Sequence, residues 1–286
     1  MSANSTSRTS PSDLTLTVRD QRFGRNAKRE KGVDPVASAW FAALSASFPR
    51  GEAMFIDAVK AFRDDVPEDL AREIRAFIKQ EVNHSREHLA FNRALEAAGY
   101  DIASLDKRIA GLVAETQEKP AIVQLAITAA LEHFTAMFAH QFLKHPDRYA
   151  TPGMGDPALW SWHAVEEIEH KGVAFDTWLH ATRDWKPMKR WSVRNIVMLK
   201  VTGRFLRNRM QDALALLEQD GITGTSAKLR LAWHLLGNPG KLRRIFPAWL
   251  GYFRPGFHPW DEDDRYLIAR HDSEYAAANL ESVPAQ

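Results

Sequence analysis

The 286 residues of this chain contain no cysteine. Disulfides, thiolate nucleophiles, zinc ribbons and iron–sulfur clusters are thereby excluded. The absence suits a reducing cytosol, and a cytoplasmic location is expected. Long apolar runs are missing too. No stretch of about 18 consecutive apolar residues occurs, which argues against a membrane-spanning helix. Residues 1–35 lack the apolar segment a signal peptide needs. Glycine (15) and proline (14) are modest, and the net charge is only +2. What remains, 45% apolar and 26% charged, is ordinary globular composition, long enough for one large domain or a domain with an extension.

Periodicity and breakers predict an all-α chain. Residues 1–35 are rich in Ser, Thr, Asn and Arg and read as a disordered tail. Val36–Phe48 is a short Ala-rich helix that Pro49 interrupts; a new helix from about Arg50 carries Glu52, Phe55, Ile56, Val59 and Phe62 on one side. A second helix opens near Pro67 and stops at Gly99, with the stripe Ile74, Phe77, Ile78, Glu81, His84, His88. The connection 101–119 holds a helix around Leu105–Thr116. Pro120 opens a third helix, in which Glu132 is the only formally charged residue between Ala121 and Ala139. The fourth, Ala158–Thr182, has the stripe Trp160, His163, Glu167, His170, Ala174, Trp178. A basic helix (about Lys186–Gln219), a helix near Ser226–Leu236 and a Pro/Gly/aromatic-rich segment (237–264) follow. The expected layout is a tail (1–35), a four-helix bundle (36–182) and a basic helical extension packed on it (183–286).

Two copies of Glu-x-x-His stand in this pattern, Glu81-x-x-His84 and Glu167-x-x-His170, and the other two core helices each carry one inward acid, Glu52 and Glu132. Positions i and i+3 share a helix face, so each pair can converge on one ion. A chain of this composition yields roughly one such pair by chance; the signal lies in the setting, on core-facing stripes of long helices. Four buried carboxylates would be prohibitive alone, but two divalent cations cancel their charge. The order Glu, Glu-x-x-His, Glu, Glu-x-x-His is that of a dinuclear site in a ferritin-like four-helix bundle. His163 lies on the same face as Glu167 and His170 and reads as a third imidazole ligand, with a carboxylate-bonded core histidine as the alternative.

Other residues near these stripes are weighed similarly. His88, one turn beyond His84, reads equally as a support of the site and as a packed core histidine. Asp176 could orient a ligating imidazole or be a surface acid. Glu166 and Glu169 point away and are expected to pair with Lys or Arg; His133 is expected to be a satisfied core histidine. His258 and Trp260 read as a structural loop, with a cap on the pocket mouth as the alternative. Trp160 and Trp178 are candidates to line a substrate cavity.

The segments around these residues resemble a known family. Ala-Leu-Ser-Ala-Ser-Phe-Pro-Arg-Gly-Glu52, Lys-Gln-Glu81-Val-Asn-His84-Ser-Arg-Glu-His88, Ala-Leu-Glu132-His133-Phe-Thr, Trp162-His163-Ala-Val-Glu166-Glu167-Ile-Glu169-His170-Lys and Pro-Gly-Phe-His258-Pro-Trp260 are similar to the bacterial predicted metal-dependent hydrolases, over roughly residues 40–262. The ligand pattern also resembles that of the di-iron arylamine N-oxygenases such as p-aminobenzoate N-oxygenase. Their arrangement implies Glu52, Glu81, His84, Glu132, His163, Glu167 and His170 as ligands here.

The first expectation is therefore a di-iron oxygenase or oxidase that uses O2 on a small organic substrate, with manganese, mixed iron–manganese or zinc as alternative metals and an electron donor as a further partner. A two-metal hydrolase is the alternative; a non-catalytic metal or membrane-surface protein is the third. Residues 183–209 carry nine Lys/Arg against Asp184 alone, with Trp185, Trp191, Met198, Leu199, Phe205 and Leu206 interleaved. Such a stretch is a solvated helix face or a peripheral contact with an anionic membrane. No nucleic-acid partner is expected, and a homodimer is left open.

Overall fold

The computed structural model describes residues 10–11, 13–23, 34–149 and 154–281, and helices are the only regular elements among them. Helix α1 (Pro35–Lys60) is opened by Asp34, whose side chain accepts from the Val36 N–H at 2.9 Å. It is one helix where the sequence predicted two. Pro49 has no N–H to give the Ser45 carbonyl, but the Asn92 side-chain amide donates to that carbonyl at 3.1 Å. The gap in the ladder is filled from the neighbouring helix, and α1 continues.

Helix α2 (Glu68–Ala97) begins with Glu68 and Asp69 in its first turn and ends at Gly99, whose φ of +97° favours glycine. Helix α3 (Ile102–Gln117) crosses to α4 (Ala121–Lys144), and a single turn, α5 (Pro146–Tyr149), follows. Among the described helices α4 alone is long and apolar enough to span a membrane. Its sides are covered by α1 and by later helices, so the apolar composition reflects a core helix buried on several faces.

The predicted fourth helix is two, α6 (Pro157–His170) and α7 (Val173–Ala181). At the break a Cβ on Gly172 would lie 2.5 Å from the Ser10 hydroxyl and 3.1 Å from the Trp260 ring, so glycine is required. Helix α8 (Pro187–Gln219) is the basic helix; α9 (Gly224–Ala232) runs into a π-helical turn at Trp233–Gly237. The Pro/Gly/aromatic-rich segment contains α10 (Lys241–Gly251) and a 3-10 turn (Pro259–Asp261), and α11 (Arg265–Glu281) closes the order. Proline, glycine and aromatic content hid α10, which is held by packing on α4.

Helices α1, α2, α4 and the α6–α7 pair pack on one another around a common centre. Helix α8 lies across α1 and α4, and α11 covers α6. Arg209 of α8 donates to the Ala43 carbonyl at 2.6 Å and pairs with Asp212, also at 2.6 Å. Arg108 of α3 meets the same carboxylate.

The tail is corrected over the part described. Residues 13–23 form no helix or strand but lie along α2 and α6 as a strap. The backbone N–H groups of Thr17, Arg19 and Phe23 donate to Glu169, Glu166 and Glu87 at 2.9, 2.7 and 3.0 Å, and Leu16 is buried. Those carboxylates are buried and need donors, which polar strap backbone supplies. Positions 1–9, 12 and 24–33 lie outside the described residues.

Candidate metal centre

The structure brings Glu52 (α1), Glu81 and His84 (α2), Glu132 (α4), and His163, Glu167 and His170 (α6) into one buried cluster. On one side His163 Nε2 is 3.7 Å from Glu52 Oε1 and 2.8 Å from Glu167 Oε1, and His84 Nδ1 is 3.8 Å from that same Glu167 oxygen and 3.9 Å from Glu81 Oε2. On the other, His170 Nε2 is 3.2 Å from Glu81 Oε1, 3.4 Å from Glu132 Oε2 and 3.5 Å from Glu167 Oε2. Glu81 and Glu167 thus turn one oxygen to each side. Glu52 serves the first side only and Glu132 the second. The His84 and His163 rings stack with centroids 4.0 Å apart.

The protons are arranged around this centre. Gln80 Nε2 donates to the Thr17 carbonyl at 3.1 Å and to Glu169 Oε2 at 2.9 Å, which leaves Gln80 Oε1 to accept from His170 Nδ1 at 3.1 Å. His170 therefore turns Nε2 inward. Asn92 gives its amide N–H to Ser45 O and takes the Ser45 hydroxyl proton on Oδ1 at 2.8 Å. Ser45 Oγ then accepts from His88 Nδ1 at 2.9 Å, and His88 Nε2 accepts from His163 Nδ1 at 2.7 Å. With Glu166 ionised, His84 Nε2–H donates to it at 3.0 Å and Nδ1 faces the cluster. Outer partners of this kind fix tautomers of metal-binding imidazoles.

The donor set fits a pair of cations. Glu52 Oε1, both oxygens of Glu81 and of Glu132, Glu167 Oε2, His84 Nδ1 and His170 Nε2 are buried with no hydrogen-bond partner. Unpaired groups of this density are costly, and two divalent ions would satisfy them. Burial, with carboxylate repulsion added, pushes the Glu52, Glu81 and Glu132 carboxyls well above their ordinary range. Burial opposes ionisation of Glu167 too, but with no cation bound, protonated His170 and His163 outweigh it and hold that carboxyl low; each gives up its Nε2 proton when that nitrogen ligates a cation. Burial and neighbouring His163 keep His84 and His88 neutral. Oxygen and imidazole donors without thiolate suit iron, manganese or zinc.

The remaining sequence candidates separate. Glu169 pairs with Arg19 at 2.8 Å, as an acid pointing away from the centre should; Glu166 takes the Arg19 N–H and also supports His84. Burial raises Glu166 to about 8. Asp176 does not orient a cluster imidazole: it bonds His258 Nε2 at 2.9 Å and the Ser10 hydroxyl at 3.0 Å. The kink at Gly172 separates its helix from α6. His258 is committed at both nitrogens, since Nδ1 accepts from Trp260 N–H at 3.1 Å, so it holds a loop. His133 packs against Tyr252 and Phe257, and burial lowers it to about 3. Trp160 lines a small cavity with His163 and Glu167; Trp178 lines a separate, larger cleft. In a further acid–histidine group, His140, Glu262 and Asp264, the Asp264 carboxylate is paired with Lys171 at 2.7 Å.

Sequence reasoning missed Gln80, Ser85 (which donates to Glu52 Oε2 at 2.8 Å), Asn92 and the strap residues Thr17 and Arg19. Gln80 and Ser85 flank the first motif in sequence and were legible as its neighbours. Nothing local marks Arg19, which is 147 positions from Glu166.

No curated protein and no solved structure matches this chain. The family model described as predicted metal-dependent hydrolase spans residues 17–263, which takes in the strap from Thr17 onward and every cluster residue, and the chain belongs to that family.

Proposed function

We propose that this protein is a dinuclear-metal enzyme acting on a small organic molecule held in the cavity beside His163 and Glu167, and that its core is a ferritin-like bundle. The observation that supports this most is the convergence of seven buried side chains from four helices, two of whose carboxylates face both halves of the site. Bound cations would supply Lewis-acid activation of water and of a substrate oxygen or, if redox-active, electrons for O2. The chain's own residues hold the ions, keep imidazole protons turned outward and exclude water with aromatic walls.

Hydrolysis is the first reading of the reaction, on the family's description, and this reverses the order expected from sequence. Oxidation with O2 is the second. It draws support from the aromatic cavity wall, which offers no acid or base beyond His163, Glu167, Lys241 and the Tyr149 phenol among its described residues. Elemental analysis of protein purified without added metal comes first; fewer than one ion per chain in folded, active protein would sink the proposal. Turnover of ester or phosphate substrates without O2 supports hydrolysis. A transient visible chromophore when anaerobically iron-loaded protein meets O2 supports oxidation.

For partners, the proposal includes an anionic membrane surface. The outer faces of α9–α10 expose Leu229, Trp233 and Leu236, then Phe246 and Leu250, at helical spacing. No acid occurs between Asp220 and Asp261, while Lys228, Arg230 and Arg243 are exposed there. Apolar stripes with basic flanks suit an interfacial helix.

A further inference from the structure

One ionisable group on the cavity wall is not used by the metal centre. Lys241, the first residue of α10, is 3% exposed and has no hydrogen bond or ion pair with any described residue. Its ammonium lies 4.3 Å from the Phe41 ring centroid and 4.5 Å from that of Tyr149. The Tyr149 hydroxyl is also buried without a partner. Asp34, an acid that acts on Lys241 through space, is occupied in capping α1. Burial lowers the ammonium to about 7. Lys241 is not reaching for the cluster carboxylates, because Phe41, Trp160 and Phe48 intervene, ring against ring, on the way to His163.

An unpaired cation in an aromatic wall costs stability that an apolar side chain would not. Cation–π contact offsets only part of it. The arrangement is explained by a ligand that brings the missing negative charge. The cavity is about 80 Å³; at roughly 10–15 Å³ per water-sized group it admits about six non-hydrogen atoms.

We propose that this cavity binds a small apolar carboxylic acid, its carboxylate on Lys241 Nζ and the Tyr149 hydroxyl and its hydrocarbon body among Phe41, Phe48 and Trp160. That such an acid is the substrate or product rests on the metal-centre reading; that it binds does not.

The test is calorimetric titration of the full chain with butanoate and cyclopropanecarboxylate, each of six non-hydrogen atoms, against their neutral amides, on metal-loaded and on chelator-stripped protein. The acids bind at least tenfold tighter than the amides in both forms, and Lys241→Met abolishes that preference while amide binding persists. Equal affinity for acid and amide overturns the proposal. So does a preference that survives Lys241→Met or vanishes on metal removal, which would put the carboxylate on the metals. Should Lys241→Met not fold, Lys241→Arg and Tyr149→Phe serve instead: the first keeps the preference and the second weakens it several-fold. Absence of metal from the purified protein would defeat the metal-centre reading and leave this result standing.

Discussion

An imidazole can ligate a cation only through a nitrogen that carries no proton, and here that choice is made outside the cluster. Ser45, Asn92 and His88 settle it for His163, and Gln80 settles it for His170. Ser45→Ala removes the acceptor for His88 Nδ1 and frees the proton order of the pair. Metal affinity should fall 10–100-fold, read by competition with a chromophoric chelator; unchanged affinity would show that the relay does not orient His163. Glu81→Gln removes a carboxylate that faces both halves of the site. Metal content should drop by at least one ion per chain, with the helical circular-dichroism spectrum retained.

At the scale of elements, buried charge decides how helices are joined. Asp212 of α8 is fully buried between Arg209, which reaches the α1 backbone, and Arg108 of α3. Asp212→Ala leaves Arg209 uncompensated and should destabilise the chain by about 3–5 kcal/mol, measured by denaturant unfolding. Retained stability would mean water enters to solvate the guanidinium. The strap follows the same logic. Arg19 is the charged partner of Glu169 and its backbone caps Glu166, so the stretch that composition marks as a loose tail is held by acids on α6. Pro49 is the reverse case: a breaker whose orphaned carbonyl finds a donor in Asn92 is no longer a break.

At the scale of the whole molecule, the proposed metal centre sets metal and proton in competition for the same groups. The raised carboxyls of Glu52, Glu81 and Glu132 favour folding of the metal-free chain below the unfolded carboxylate pKa, and that contribution is lost as pH rises through their folded values. The lowered imidazoles of His84 and His88 act oppositely, stabilising above pH about 6.5 and losing that effect as pH falls. Cations need both sets deprotonated. The metal-induced stabilisation should therefore grow from pH 6.5 to pH 8 at fixed free metal, by about 1.4 kcal/mol per pH unit for each proton displaced; scanning calorimetry showing a flat or falling metal-induced rise in Tm would contradict this. The basic apolar surface has its own test. Vesicles containing anionic lipid should bind the protein at low salt and release it at high salt, and Trp233→Ser with Phe246→Ser should weaken binding several-fold.

The helical class and the seven-residue set were legible in the chain itself, because a 3.6-residue period turns Glu81 with His84, and Glu167 with His170, toward one side whatever surrounds them. Tertiary structure alone decided which carboxylates face both halves, which proton each imidazole keeps, and that Arg19 and Lys241 belong to the story. Those outcomes depend on side chains meeting across 43 positions, as Ser45 and His88 do, or 147, as Arg19 and Glu166 do, and no local spacing encodes such a meeting.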